Sequence, residues 1–117
     1  YFRHAESEML RTVSEKENIV ISTGGGTPCL DDNMDFMIKS GLTIYLKLSH
    51  RQLYGRLVRA SAKRPLLKNI PKRDLPDYIA IKLTEREKWY NQSAIVFEKS
   101  GSNISELLML VKNRIKE

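Results

Sequence analysis

Apolar residues follow two rhythms along this chain. Phe2, Ala5, Met9 and Val13 fall at helical spacing, so the opening predicts an amphipathic helix, one that begins without an N-cap residue or a preceding strand. After the polar connection Glu15–Asn18, the β-favouring Ile19, Val20, Ile21 and Thr23 predict a buried strand running directly into Gly24, Gly25 and Gly26. Asp31 or Asp32 caps a helix whose Met34, Met37 and Ile38 face inward, and Gly41 stands where a left-handed C-terminal residue belongs. Leu42–Leu48 is a second strand, nearly continuous in apolar residues as buried parallel strands are. Ser49 with Gln52 forms a capping box ahead of a helix bearing Leu53, Leu57 and Ala60. Periodicity stops between Ala60 and Leu75, then resumes in a helix to about Gln92 with Leu75, Tyr78, Ile79, Leu83 and Tyr90 on one stripe. Ala94–Phe97 is a short third strand. Asn103 and Glu106 cap a final helix carrying Ile104, Leu107, Leu108, Val111 and Ile115.

Strands alternating with helices predict an α/β fold, a parallel sheet flanked by helices, in a single domain over 1–117. Ligands of such sheets bind beyond the carboxyl ends of the strands, which is where the glycines lie. Three consecutive glycines cost backbone entropy, so they imply positive φ angles or a close approach to the bare backbone, with a plain flexible connection as the alternative. Arg86 falls on the apolar stripe of its helix, where it either snorkels or faces an anion in a cleft.

The net charge of +6 suits an anionic partner, but lysines and arginines are interspersed with acidic residues rather than gathered in one tract, as on an ordinary solvated surface. No apolar run is long enough to span a bilayer. The single cysteine, Cys29, excludes an internal disulfide and fits a reducing, cytoplasmic setting. Cys29 beside Pro28 reads as a small packed residue, His4 and His50 lack the companions of a metal site or triad, and Trp89 reads as packing.

Phe2-Arg3 followed by Glu6, Ser22-Thr23-Gly24-Gly25-Gly26, Arg64-Pro65-Leu66-Leu67, and Glu85-Arg86 followed by Tyr90 occur in one order and at intervals that resemble shikimate kinase. The resemblance covers essentially the whole chain. It implies a P-loop NTPase-like fold of the nucleoside-monophosphate-kinase type. It also implies an N-terminal strand, a G-x-x-x-x-G-K-[ST] phosphate loop, a helix and an aspartate-bearing strand that this sequence does not contain. The expectation is therefore the C-terminal portion of a kinase domain, with the chain alone inactive.

The activity the resemblance implies is transfer of the γ-phosphoryl group of ATP, with Mg²⁺, to shikimate, giving shikimate 3-phosphate for aromatic amino-acid biosynthesis. It implies a cytoplasmic monomer with a small-molecule substrate and neither a nucleic-acid nor a membrane partner. By resemblance Arg3 and Arg86 are the pair that clamps the substrate carboxylate, a task suited to the guanidinium fork. Glu6 would hold Arg3 across one helical turn; the plain reading of Arg3–Glu6 is a surface ion pair of little worth. Gly24, Gly25 and Gly26 resemble the glycines whose N–H groups meet the substrate, and Ser22 and Thr23 sit where related kinases orient metal-bound water. The stretch 61–74 resembles the lid, with Arg64 contacting ATP and neutralising charge on the transferring phosphoryl group. Arg56 or Arg59 is a second nucleotide-side arginine. The rivals are a gluconate-kinase-like enzyme of the same superfamily, a non-catalytic anion-binding remnant and a basic nucleic-acid-binding module.

Overall fold

The computed structural model describes residues 2–60, 69–98 and 103–115. Helix α1 (Phe2–Val13) is followed by an extended segment, the glycines, and a 3-10 turn at Thr27–Cys29. Helix α2 (Asn33–Ser40) leads to strand β1 (Ile44–Lys47), then α3 (His50–Ala60), a second 3-10 turn at Lys72–Asp74, α4 (Leu75–Tyr90), strand β2 (Ile95–Glu98) and α5 (Ile104–Ile115). The two strands pair in parallel, with Ile44 opposite Ile95 and Lys47 opposite Glu98. Parallel pairing requires a crossover, and α3 and α4 supply it, packed on each other. Just before the ladder, Thr43 accepts twice: the Ala94 amide donates to its Oγ1 at 2.9 Å and the Ile95 amide to its carbonyl at 3.1 Å.

The core is centred on α4. Leu75 and Ile79 are buried, with Leu53, Tyr54, Leu57 and Val58 of α3, Ile70 and Tyr78 packed around them, and Leu83, Ile95, Phe97, Leu10 and Met34 are also buried. Local sequence devices appear as hydrogen bonds. The Gln52 amide donates to Ser49 Oγ at 3.1 Å while the Ser49 amide donates to Gln52 Oε1 at 2.9 Å, a complete capping box that satisfies donors at the start of α3. The Glu106 amide donates to Asn103 Oδ1 at 3.1 Å at the start of α5.

Five expectations are corrected. Ile19–Thr23 is extended but joins no ladder, and Val20 is 98% exposed. A strand is defined by its partner, and among the described residues this segment has none, so β propensity produces extension without pairing. The buried face of α1 carries Leu10, whereas Met9 is exposed; Ile38 of α2 is likewise exposed while Met34 is buried. Gly41 is fully extended (φ −177°, ψ −172°) rather than left-handed, its amide still donating to the Met37 carbonyl at 3.2 Å. In α5, Ile104, Leu108 and Ile115 are exposed, so the apolar stripe there is not a buried one among the described residues.

Candidate functional site

The glycines form a tight turn between α1, α2 and α4. The Thr27 amide donates to the Gly24 carbonyl (3.2 Å) and the Cys29 amide to the Gly26 carbonyl (3.1 Å), closing the chain into the 3-10 turn, with Pro28 supplying a preset φ in its first positions. None of the three glycines carries a left-handed φ; Gly26 lies at φ −86°, ψ −16°, which any residue adopts. Close approach, not backbone strain, explains them.

Each glycine faces a different polar side chain. A Cβ on Gly24 would stand 3.1 Å from Glu6 Oε1; one on Gly25 would stand 2.9 Å from Arg86 Nη1 and 3.3 Å from the Tyr90 hydroxyl; one on Gly26 would overlap the Arg3 guanidinium, with Cζ at 2.6 Å. Two guanidinium groups, from α1 and α4, therefore converge on adjacent peptide units.

The two arginines are held differently. Arg3 Nη1 donates to Glu6 Oε2 at 3.1 Å, one turn along α1, and Glu6 Oε1 accepts from Thr27 Oγ1 at 2.7 Å. Glu6 thus ties Arg3 to the glycine turn rather than merely pairing with it on the surface. Arg86, in contrast, has no carboxylate within ion-pairing distance among the described residues, which leaves its fork available to an anion.

A second layer fixes the turn from behind. Asn33, at 0% exposure, donates through Nδ2 to the Thr27 carbonyl (2.9 Å) and to Ser7 Oγ (3.0 Å), and accepts at Oδ1 from Arg11 Nη1 (2.8 Å). Arg11 also reaches Asp32 Oδ1 at 2.8 Å and lies 4.7 Å above the Phe36 ring, a cation–π contact. Asp32 is the residue at the N-cap of α2, yet its carboxylate serves Arg11 and makes no cap hydrogen bond. On the α4 side, the Tyr90 hydroxyl donates to the Gly25 carbonyl at 2.5 Å, and its ring packs on Tyr45 with centroids 5.0 Å apart. Burial first, and then the charge and hydrogen bond of Glu87, push the Tyr45 phenol up to about 12. Burial also raises Tyr90, against the opposing charge of Arg86, and raises the Cys29 thiol, against Arg86, Arg3 and Lys88. Cys29 is half-buried, its Sγ 3.8 Å from the Gly25 carbonyl, in an open cleft that it lines with Arg86, Lys88 and Trp89.

A family model described as shikimate kinase matches residues 1–116. The chain belongs to the shikimate kinase family. A shikimate kinase of Azobacteroides pseudotrichonymphae is 44% identical over 97 residues, which cover 82% of this chain and 57% of that protein. The Bacteroides thetaiotaomicron shikimate kinase is 39% identical over 120 residues, covering 93% of this chain and 69% of the relative. A crystal structure of shikimate kinase from the same organism superposes with a TM-score of 0.79 at 42% identity, over 83% of this chain and 55% of that one. The chain thus spans a little over half the length of most of the relatives it matches, and it matches their C-terminal part. The fold is that of the P-loop NTPase class to which the matched structure belongs.

Of the candidate site residues expected from the sequence, Arg3, Glu6, Gly24, Gly25, Gly26 and Arg86 come together at one turn. Ser22 and Thr23 lie in the extended segment leading into it. Arg64 and most of the 61–74 stretch lie outside the described residues. Arg56 and Arg59 are both exposed on α3, and Arg59 Nε donates to the Gly55 carbonyl at 3.1 Å, which does not single out either as a nucleotide contact. Sequence reasoning did not assign Thr27, Asn33 or Arg11 to the site. Tyr90 belongs to the motif with Arg86, and its place on the apolar stripe gives no sign of the polar contact its hydroxyl makes. No helix of the described residues is long and apolar enough to cross a membrane.

Proposed function

We propose that this chain forms the shikimate-binding part of an ATP-dependent shikimate kinase, a cytoplasmic monomer that transfers the γ-phosphoryl group of ATP to a ring hydroxyl of shikimate and releases shikimate 3-phosphate and ADP. The observation that carries the reading is the convergence of Arg3 and Arg86 on the glycine turn, one guanidinium pre-set by Glu6 and the other lacking a carboxylate partner among the described residues. A small hydroxylated carboxylic acid matches that arrangement. The carboxylate takes the paired forks, and its ring oxygens lie against backbone that only glycine leaves open. Because Glu6 and Thr27 hold Arg3 before substrate arrives, less side-chain entropy is lost on binding.

Catalysis in this reading is positioning and charge stabilisation. The turn and its arginines fix the acceptor hydroxyl toward the nucleotide, and Arg64, from the 61–74 stretch, neutralises charge on the transferring phosphoryl oxygens while the stretch closes over them and excludes water. Mg²⁺ enters with the nucleotide in this reading, bound through its phosphates.

The test is shikimate-dependent ADP formation by the full-length protein, with gluconate as the competing acceptor, and shikimate binding by calorimetry in the Arg86→Ala variant. Loss of a charge-assisted fork predicts roughly 10- to 100-fold weaker shikimate binding. Equal turnover with gluconate, or unchanged shikimate affinity in the variant, would remove the reading.

A further inference from the structure

The carbonyls of the glycine turn are not held alike. Those of Gly24 and Gly26 accept the amides of Thr27 and Cys29, so the turn itself fixes them. Among the described residues the Gly25 carbonyl takes no backbone amide; it accepts the hydroxyl of Tyr90, which stands 65 residues further along the chain on α4, with only the weak donor of the Cys29 thiol beside it at 3.8 Å. The Gly25–Gly26 peptide is trans, as are the others described. In a planar trans peptide the C=O and the following N–H point in opposite directions, so whatever holds the Gly25 oxygen also sets the direction of the Gly26 amide.

We propose that Tyr90 is a positioning residue for substrate binding: by gripping the Gly25 carbonyl it sets the Gly25–Gly26 peptide so that the Gly26 N–H is presented to a substrate oxygen beside Arg3 and Arg86. The proposal rests on the reading of the turn as the shikimate site. Several further observations support it. Tyr90 follows Arg86 by one helical turn, so phenol and guanidinium share a face of α4, and both lie against Gly25. The Tyr90 ring is braced by Tyr45, tilted 48° to it, and Tyr45 is itself linked to Glu87, its hydroxyl donating to Oε1 at 3.4 Å. Burial raises the Tyr90 pKa, which keeps the phenol protonated and therefore a donor across the neutral range. The Gly26 amide is spared by the 3-10 turn, whose first internal donors are Thr27 and Cys29. Hydrogen bonds of this kind are modest individually, but a misdirected amide loses its substrate contact altogether.

The experiment is Tyr90→Phe in the full-length protein, which keeps the ring on Tyr45 and deletes only the oxygen. Glycine-selective ¹⁵N spectra follow the Gly26 amide, and calorimetry follows shikimate and ATP separately. The expected result is a displaced Gly26 amide resonance, shikimate binding weakened roughly 3- to 10-fold, and unchanged ATP affinity and melting temperature. An unmoved Gly26 resonance with unchanged shikimate affinity overturns the proposal. Equal losses of shikimate and ATP affinity with a lowered melting temperature also overturn it, because the residue would then be holding the fold. Failure of the wild-type protein to bind shikimate would instead overturn the site reading, and the Gly26 resonance alone would decide whether the hydroxyl sets the peptide.

Discussion

Replacing Gly26 by alanine separates stability from binding at a single methyl group. The backbone there is helical in sense (φ −86°, ψ −16°), so alanine adopts it without strain, and removing a glycine restricts the unfolded chain, worth about 0.4–1 kcal/mol in favour of folding. Against this stands the overlap of the new Cβ with the Arg3 guanidinium, 2.6 Å from Cζ and Nη2. That obstacle is the far end of a long side chain, 48% exposed, and it swings into solvent at small cost. The ion pair it leaves is open on the Arg3 side, with Glu6 19% exposed and still held by Thr27, and is worth about 1 kcal/mol. The two contributions nearly cancel, so Gly26→Ala should change folding stability by less than about 1 kcal/mol in urea unfolding. Binding should behave otherwise. Arg3 can no longer occupy the position beside the turn, and loss of one charge-assisted contact to a carboxylate corresponds to about 1.5–3 kcal/mol, or roughly 10- to 100-fold in Kd for shikimate by calorimetry. Gly24→Ala is the internal comparison: its Cβ sits 3.1 Å from Glu6 Oε1 and meets neither arginine, so its effect on affinity should be smaller. A Gly26→Ala protein that binds shikimate as the wild type does, or that loses more than about 2 kcal/mol of stability, would refute the account of why the glycine is there.

Two further outcomes test the supports of the turn. Asn33→Ala deletes a fully buried side chain and takes one hydrogen bond each from the Thr27 carbonyl, Ser7 and Arg11, although the Thr27 carbonyl keeps the Leu30 amide and Arg11 keeps Asp32, so urea unfolding should show a loss of about 1–3 kcal/mol; a loss below about 0.5 kcal/mol would mean water replaces all of its contacts. For Tyr45 the folded-state pKa is about 12 against an ordinary value of 10.0. Below pH 10 the phenol is protonated in both folded and unfolded chains and its contribution to stability is fully present. Between about pH 10 and 12 only the unfolded chain ionises, so stability falls, and above the folded value the contribution is gone. The ultraviolet difference spectrum between wild type and Tyr45→Phe should show a phenol titrating well above the others, and Glu87→Gln should bring it part of the way back, while a Tyr45 midpoint at the ordinary value would contradict the buried contact with Glu87.

How far the sequence exposes this architecture depends on how local each device is. The capping box at Ser49–Gln52 and the Asn103 cap on the Glu106 amide involve residues three apart, and both are present as hydrogen bonds, the first reciprocal and the second single. The α4 stripe is legible because Leu75, Ile79 and Leu83 are buried at helical spacing, which also made Arg86 conspicuous as a charge on that stripe. The glycines are legible because an expensive residue repeated three times demands a reason, although not which reason. Ile19–Thr23 shows the opposite case. Its β-branched residues declare a preference for extension, but pairing belongs to the ladder and not to the segment, so composition alone overstated the strand.

Helix α1 explains why the supporting half of the site stayed hidden. Apolar periodicity selected Phe2, Ala5, Met9 and Val13, yet the face that meets the glycine turn and α2 runs through Arg3, Glu6, Ser7, Leu10 and Arg11, at offsets of 3, 4, 7 and 8. That is the same helical period with polar residues in four of the five places. A hydrophobic count cannot find such a face, because its burial is made tolerable by partners 21 to 26 residues away: Thr27 for Glu6, Asp32 for Arg11, Asn33 for Ser7. A period-3.6 search that scored polar residues beside the Arg3–Glu6 pair would have aligned Ser7 and Arg11 with it, though not named their common partner Asn33. The physical reason for spending a helix face this way is that an apolar interface would seat the helix but leave the arginine free. A chain of hydrogen bonds from Asn33 through Thr27 and Glu6 fixes the guanidinium itself, and orientation of that group is what a carboxylate clamp requires.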